Sequence, residues 1–495
     1  MTLQGVSRTS VRSGFNPRLF LLLAALGLGS AAAAQTNPAV TFHQDIEPIL
    51  QRSCQNCHRP GGAGPMPLIT YDQVAPFAGL IEYKTGLRDR AGAMPPWYAE
   101  KNIGIQQFKN DPSLTDAELA AISVWARNGT PKGNEADAPV PLAFDDSIKW
   151  RAGEPDVIVK TNSVTKLSGT PDWWGEIDRV RIPLEEDRYV KSVEIVEVND
   201  VPTGGTGRAT VGGRYIFHHM IWSTAVLDEE GNRIEDSDAT GWPVHEVGRN
   251  ADIFDPDAGR LLKAGSYVVS DSVHMHSNGR DTTGHLEIGF RLHPKGYEPK
   301  YERANVSLGN GVDISITGNQ DGQELHAYAV LNDHTKIITF EPHLHAPGER
   351  MCLEAIWGYT VETLSCVGYD HNWVRGYPFE DDYAPLLPKG TVLHIVGYMN
   401  NTATNSNVPD PRNWQGSGNR SVTNMFIDLG MRVKLSEEQF FEEMEKRRQK
   451  LNLGPNDHVI GCPLCLAPLV APMPQTSDNG AGETPANEVA VREEN

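Results

Sequence analysis

The feature that most constrains this chain is a pair of adjacent histidines inside an apolar run, Tyr215-Ile216-Phe217-His218-His219-Met220-Ile221-Trp222. Neutral imidazole is the commonest metal ligand. Burying imidazoles among apolar side chains is costly unless something binds them. Side chains alternate faces along a strand, so joint ligation by His218 and His219 needs a bend or a strand end there. Taken alone, a hydrogen-bonded core pair explains the run equally well. Two further pairs follow, His274-Met275-His276 and His343-Leu344-His345. In a strand an H-x-H spacing places both rings on one face. Three paired-histidine clusters in strand-like sequence point to metal.

The surrounding texture is all-β. From Ile148 onward, short Val/Ile/Tyr-rich runs alternate with Gly, Asn and Asp turns, through Tyr189–Val198, Tyr215–Ala225, Ser266–Val273 and His285–Leu292. A second block runs from Val312–Thr317 to Ser421–Val433. Two β-sandwiches are expected, over 148–298 and 299–435. Ser436–Leu451 reads as a charged helix with a Ser436/Gln439 capping box. The rest of 436–495, rich in Pro, Asn, Glu and Ala, reads as a disordered tail. With 495 residues and 39% hydrophobic content there is room for about three domains. The net charge of −20 argues against nucleic acid and anionic membrane surfaces as partners.

Residues 1–34 have the layout of a secretory signal peptide. Arg8, Arg12 and Arg18 precede the apolar run Leu19–Leu28, and Ala32-Ala33-Ala34 supplies a cleavage site. The run is too short to span a bilayer, and no later stretch is long enough. The expected location is periplasmic or secreted, with no membrane insertion after cleavage. An oxidising compartment lets Cys352 and Cys366 pair across a hairpin turning at Gly358-Tyr359-Thr360. Cys462 and Cys465 suit a disulfide, a thiol redox pair or a soft metal site.

Between the signal and the β region lies Cys54-Gln55-Asn56-Cys57-His58. C-x-x-C-H is the attachment signature of c-type haem: the thiols form thioethers and His58 is placed to bind iron. Met94, in Ala93-Met94-Pro95-Pro96-Trp97, is the candidate second axial ligand, and Met66 is its competitor. Thr115 and Glu118 form a capping box for a closing helix with Leu119, Ile122 and Trp125 as its apolar stripe. Residues 38–133 therefore resemble a small all-α, class I-like cytochrome c domain, with a polar linker after Gly133.

The β region resembles the copper type II, ascorbate-dependent monooxygenases, the family of peptidylglycine α-hydroxylating and dopamine β-monooxygenases. Phe217-His218-His219-Met220 matches the family's H-H-M motif. His274, five residues before Gly279, matches a second histidine segment, and Pro342-His343-Leu344-His345 matches the H-x-H of the second domain. Met425, in Thr423-Asn424-Met425, falls on the methionine ligand. The resemblance implies two jelly-roll-like sandwiches, each holding one copper ion: His218, His219 and His274 at one site, His343, His345 and Met425 at the other. His276 shares a strand face with His274 and competes with it as third ligand. Met399 is the alternative thioether. Imidazoles hold copper in both oxidation states, whereas a thioether favours Cu(I), the state that meets dioxygen. His245, His285, His293, His326, His334, His371 and His394 read as structural or surface residues.

The resemblance also has gaps. The peptide-amidating branch grips its substrate carboxylate with an arginine and a tyrosine, and those places hold Glu341 and Leu429. Peptide amidation is not expected. The expectation is an O2-dependent monooxygenase acting on a small organic substrate, with electrons from a small reductant or redox protein relayed through the covalent haem. An electron-transfer protein, a copper-handling protein and a metal-free scaffold are the alternatives.

Overall fold

A computed structural model of the chain describes residues 40–60, 62, 64–144, 150–202, 214–234, 240–248, 251–304, 306–418, 423–454 and 457–465. The expected signal peptide and residues 466–495 of the expected C-terminal tail lie outside these residues, whereas the described residues of 452–465 depart from the tail expectation: Val459, Cys462 and Cys465 are buried against the helix that precedes them. No helix among the described residues is long and apolar enough to cross a membrane.

The first part is mostly helical. Helices Phe42–Ile46, Glu47–Ser53, Tyr71–Val74, Ala78–Gly86 and Asp116–Arg127 surround a core of Phe42, Ile46, Leu50, Leu68, Val74, Ile81, Ile122 and Trp125. The Thr115/Glu118 capping box forms as expected, each side chain bonding the other's backbone N–H. The stripe at Ile122 and Trp125 is buried because that spacing places both on one helix face.

Residues 97–108 depart from the all-helical expectation for 38–133. Ala99–Gly104 is a strand, paired antiparallel with Thr360–Gly368 at the edge of a five-stranded sheet. Trp97, Ile105 and Phe108 enter the core of the second sandwich. Gly104 makes the approach possible: its φ is +64°, and a Cβ there would lie 2.3 Å from the Leu364 carbonyl oxygen.

Two antiparallel sheets form the first sandwich. One orders Asp252–Ile253, Arg188–Asn199, Thr282–Leu292 and Val157–Lys160; the other orders Trp173–Gly175, Ser266–Met275, Phe217–Val226 and Thr240–Gly241. Leu286, Ile288, Phe290 and Leu292 alternate inward along one strand, as the period of two requires. Trp222 and Trp242 stack inside at 5.7 Å.

In the second sandwich the sheet of Ala99–Gly104, Thr360–Gly368, Gly348–Trp357, Val392–Asn401 and Gln320–Val330 shares a core with smaller sheets. One of these contains Leu308–Asn310, Phe426–Asp428 and Pro342–Leu344. Cys352 and Cys366 are direct cross-strand partners and form a disulfide, and Cys462 bonds Cys465. Helix Glu437–Lys450, capped by Ser436 and Gln439, packs Phe440 and Met444 against Leu386, Val433 and Leu435.

The sandwiches are joined by a buried ion pair, Lys336 Nζ to Asp255 Oδ2 at 3.0 Å, with both side chains almost wholly enclosed. Breaking it from the Asp255 side leaves the buried Lys336 only the more distant Glu443 carboxylate, at 4.0 Å. Asp255→Ala is expected to cost about 3–5 kcal/mol, read as a lower urea midpoint. The double change Asp255→Leu with Lys336→Met should recover most of that loss, and a single variant as stable as wild type would contradict the account.

Candidate metal centre

The adjacent histidines act together because the strand is irregular at that point. Phe217–Val226 pairs with Ser266–Met275 so that His219 faces His274 and Phe217 faces Met275, leaving His218 without a partner in the ladder. This bulge re-aims the His218 ring. His276, just past the strand end, donates its N–H to the Ile216 carbonyl at 3.0 Å. Ring centroids of His218 lie 4.1 Å from His276 and 5.2 Å from His274. Nitrogens of His218, His274 and His276 all fall within 4.8 Å of one another. The two candidates for third ligand, His274 and His276, therefore both stand with His218.

His219 stacks edge-on to His274 at 5.0 Å and approaches His343 of the other sandwich at 6.2 Å. The two expected ligand sets are thus brought to one locus between the sandwiches. His343 and His345 lie 5.3 Å apart. His343 Nδ1 donates to Glu246 Oε1 at 2.6 Å, and His345 Nδ1 donates to the Thr423 carbonyl at 3.1 Å. With Nδ1 used in this way, Nε2 of each ring carries the lone pair.

Met425 is half-buried and adjoins the ladder in which His343 faces Ile427 and Leu344 faces Phe426. Continued by one residue beyond the ends of both strands, that register would bring Met425 opposite His345. Met399 is enclosed in the second hydrophobic core with Phe426.

Three residues at this locus have no signal in the sequence. Asp172 accepts from His274 at 3.1 Å and from His276 at 3.3 Å, and these bonds, His274's foremost, hold its carboxyl well below the usual carboxylate range. Glu246 sits opposite His219 on the neighbouring strand and reaches His343. His371, read from sequence as structural or surface, is 4.9 Å from His218, whose Nε2 donates to the His371 carbonyl at 3.1 Å. Their contacts are made across the fold, which is why local sequence did not mark them.

Five imidazoles, His218, His219, His274, His343 and His345, are at most 6% exposed. Burial, reinforced by neighbouring histidines, pushes His218 and His219 far below their ordinary pKa and His345 down to about 2. His218, His219 and His345 are therefore neutral near pH 7. His345 Nε2, His371 Nδ1 and Glu246 Oε2 are buried with no hydrogen-bond partner. Buried polar atoms are nearly always paired, so this locus has unused ligating capacity. A donor set of imidazoles with carboxylates beside them suits a transition metal.

At the C-x-x-C-H segment, Cys54 and Cys57 are both free of disulfide. His58 is buried and donates Nδ1 to the Met66 carbonyl at 3.0 Å, leaving Nε2 as the lone-pair nitrogen. A Cβ on Gly64 would come within 2.7 Å of the His58 ring, so the loop closes tightly behind the imidazole. These residues fit a c-type haem. Met66, on the Nδ1 side, packs against the helical core. Met94 is half-buried and donates its N–H to the Lys84 carbonyl at 3.1 Å. Neither a protein-family model nor a curated protein matches this chain.

The depressed histidines predict an acid-sensitive metal-free protein. Below pH 6.5 the unfolded chain takes up protons that a folded imidazole such as His345 refuses until about pH 2. Stability should fall as pH drops through that window, at about 1.4 kcal/mol per pH unit for each such ring. Urea midpoints of the metal-free protein between pH 7.5 and 5.0 test this, and a flat profile contradicts it. His345→Gln should make the slope shallower.

Proposed function

We propose that this chain is an exported, O2-dependent copper monooxygenase that hydroxylates a small organic molecule, with electrons relayed through a covalent c-type haem. The observation that carries the reading is the convergence of all three histidine pairs on one buried locus with unpartnered ligating atoms. Ordinary core histidines are satisfied by the protein itself.

His218, His219, His274 and His276 are the ligand candidates on the first-sandwich side, and His343, His345 and Met425 on the second. Cys54, Cys57 and His58 would hold the haem, with Met94 favoured over Met66 because the Met66 carbonyl already serves the Nδ1 side of His58. When bound, copper would supply one-electron exchange and O2 reduction, and haem a one-electron relay.

The chain's own contribution is orientation and exclusion of water. Glu246 and the Thr423 carbonyl fix the tautomers of His343 and His345, and Asp172 fixes His274 and His276. Such carboxylate and carbonyl partners raise ligand basicity and hold ring orientation. A groove lined by Ile314, Trp414 and Thr423 opens beside the peptide that holds His345, which suits entry of a small organic molecule. The deep burial of the histidines favours a second reading, electron transfer without oxygenation.

Purified protein should hold c-type haem that survives acid–acetone extraction, together with copper, and should consume O2 with reductant and substrate. Met425→His should keep copper but lower substrate-coupled O2 consumption steeply while leaving haem reduction intact. Unchanged consumption would remove Met425 as ligand, and wild type that consumes no O2 across a broad panel would favour the electron-transfer reading.

A separate outcome concerns Glu246. Glu246→Ala should weaken copper binding about 10–100-fold, since it releases the His343 ring. Competition with a chromophoric chelator measures this, and wild-type affinity in the variant would show that Glu246 does not position His343.

A further inference from the structure

We propose that Arg375 and Trp97 together seat a propionate of the haem, so that the second sandwich binds the haem edge directly. This rests on the haem reading of Cys54, Cys57 and His58. Arg375 belongs to the loop that follows strand Thr360–Gly368, far in sequence from the haem motif. Its guanidinium carbon lies 5.6 Å from the Trp97 ring centroid, and its Nη1 donates to the Gly248 carbonyl at 3.1 Å. Among the described residues it makes no ion pair with a carboxylate, and its Nε is buried without a partner. The indole Nε1 of Trp97, a residue only 4% exposed, is also buried without an acceptor. Two orphaned donors, one of them cationic, meet at one place. A buried guanidinium calls for an anion, and a planar fork suits a carboxylate.

The location identifies that carboxylate. Trp97 stands three residues beyond Met94, the candidate axial ligand. Asp370, on the same loop as Arg375, accepts from the Gly92 N–H at 2.8 Å and the Tyr98 hydroxyl at 3.2 Å, fastening this loop to the Met94 segment. On the other side, Arg214 donates to the Gly62 carbonyl at 2.9 Å, five residues past Cys57. Burial is the main influence on the Arg375 guanidinium, and Cys57 and Arg151 lie within its electrostatic reach. Cations thus gather around the C-x-x-C-H loop of a chain whose net charge is −20. A thioether-linked haem placed there carries two carboxylates of its own and brings the missing acceptor.

The test uses the full-length holoprotein and variants Arg375→Leu, Arg375→Lys and Trp97→Phe. Covalent haem is counted from the alkaline pyridine spectrum, and the haem midpoint potential is measured from pH 5 to 9. Arg375→Leu should retain thioether-linked haem but shift its reduction equilibrium toward the ferric form roughly tenfold, about 59 mV for one electron. A proton-linked slope should appear in that variant, because the propionate loses the cation that keeps it ionised. Arg375→Lys should stay near wild type, and Trp97→Phe should shift in the same direction by less. Wild-type potential and pH profile in both Arg375→Leu and Trp97→Phe, with haem attached, would overturn the proposal. If Arg375→Leu does not accumulate, Trp97→Phe decides by the same measure. Wild type without covalent haem would instead overturn the haem reading, and this proposal with it.

Discussion

The constraint on which the rest depends is the cost of burying imidazole. Six or more rings enclosed between two sandwiches leave more lone pairs and N–H groups than nearby backbone and carboxylates satisfy. Protonation would worsen the position, since like charges would then crowd a low-dielectric space. The protein resolves part of this locally: Asp172 accepts from two rings, and Glu246, the Thr423 carbonyl and the His371 carbonyl each take one N–H. What is left over, His345 Nε2, His371 Nδ1 and Glu246 Oε2, is the basis for a metal reading.

The same locus is a mechanical junction. Strand His245–Glu246 pairs with the His219 strand, while Val247 and Gly248 accept from Val374 and Arg375 of the second sandwich. One short loop, Asp370 to Arg375, therefore touches the Met94 segment, the histidine cluster and the first sandwich. The strand Ala99–Gly104 adds a backbone ladder between the N-terminal part and the second sandwich. Such contacts hold the groups at this junction at fixed spacing rather than leaving them to be brought together by diffusion.

Much of the fold was legible because it is written in local periodicity. The strands of both sandwiches, the Thr115/Glu118 and Ser436/Gln439 caps and the Cys352–Cys366 hairpin each depend on residues a few positions apart or directly across a turn. Ala99–Gly104 was not legible. Glu-Lys-Asn-Ile-Gly has no β-branched run of useful length, and its partner strand begins at Thr360. The need for a bend at His218 and His219 could be stated from alternation alone, but its form, a bulge opposite His274 and Met275, depends on two strands meeting.

The sequence by itself determined the residue types at the site: three histidine pairs, a C-x-x-C-H segment and methionines near both, since side-chain chemistry needs no fold to be read. It could not determine the grouping. Two separate ligand sets were expected, and only the packing of the sandwiches set His219 6.2 Å from His343. Asp172, Glu246, His371 and Arg375 acquire their roles from neighbours distant in sequence, so no spacing rule marks them. Periodicity reports which way a side chain points along its own strand, whereas what it meets there is decided by tertiary contact.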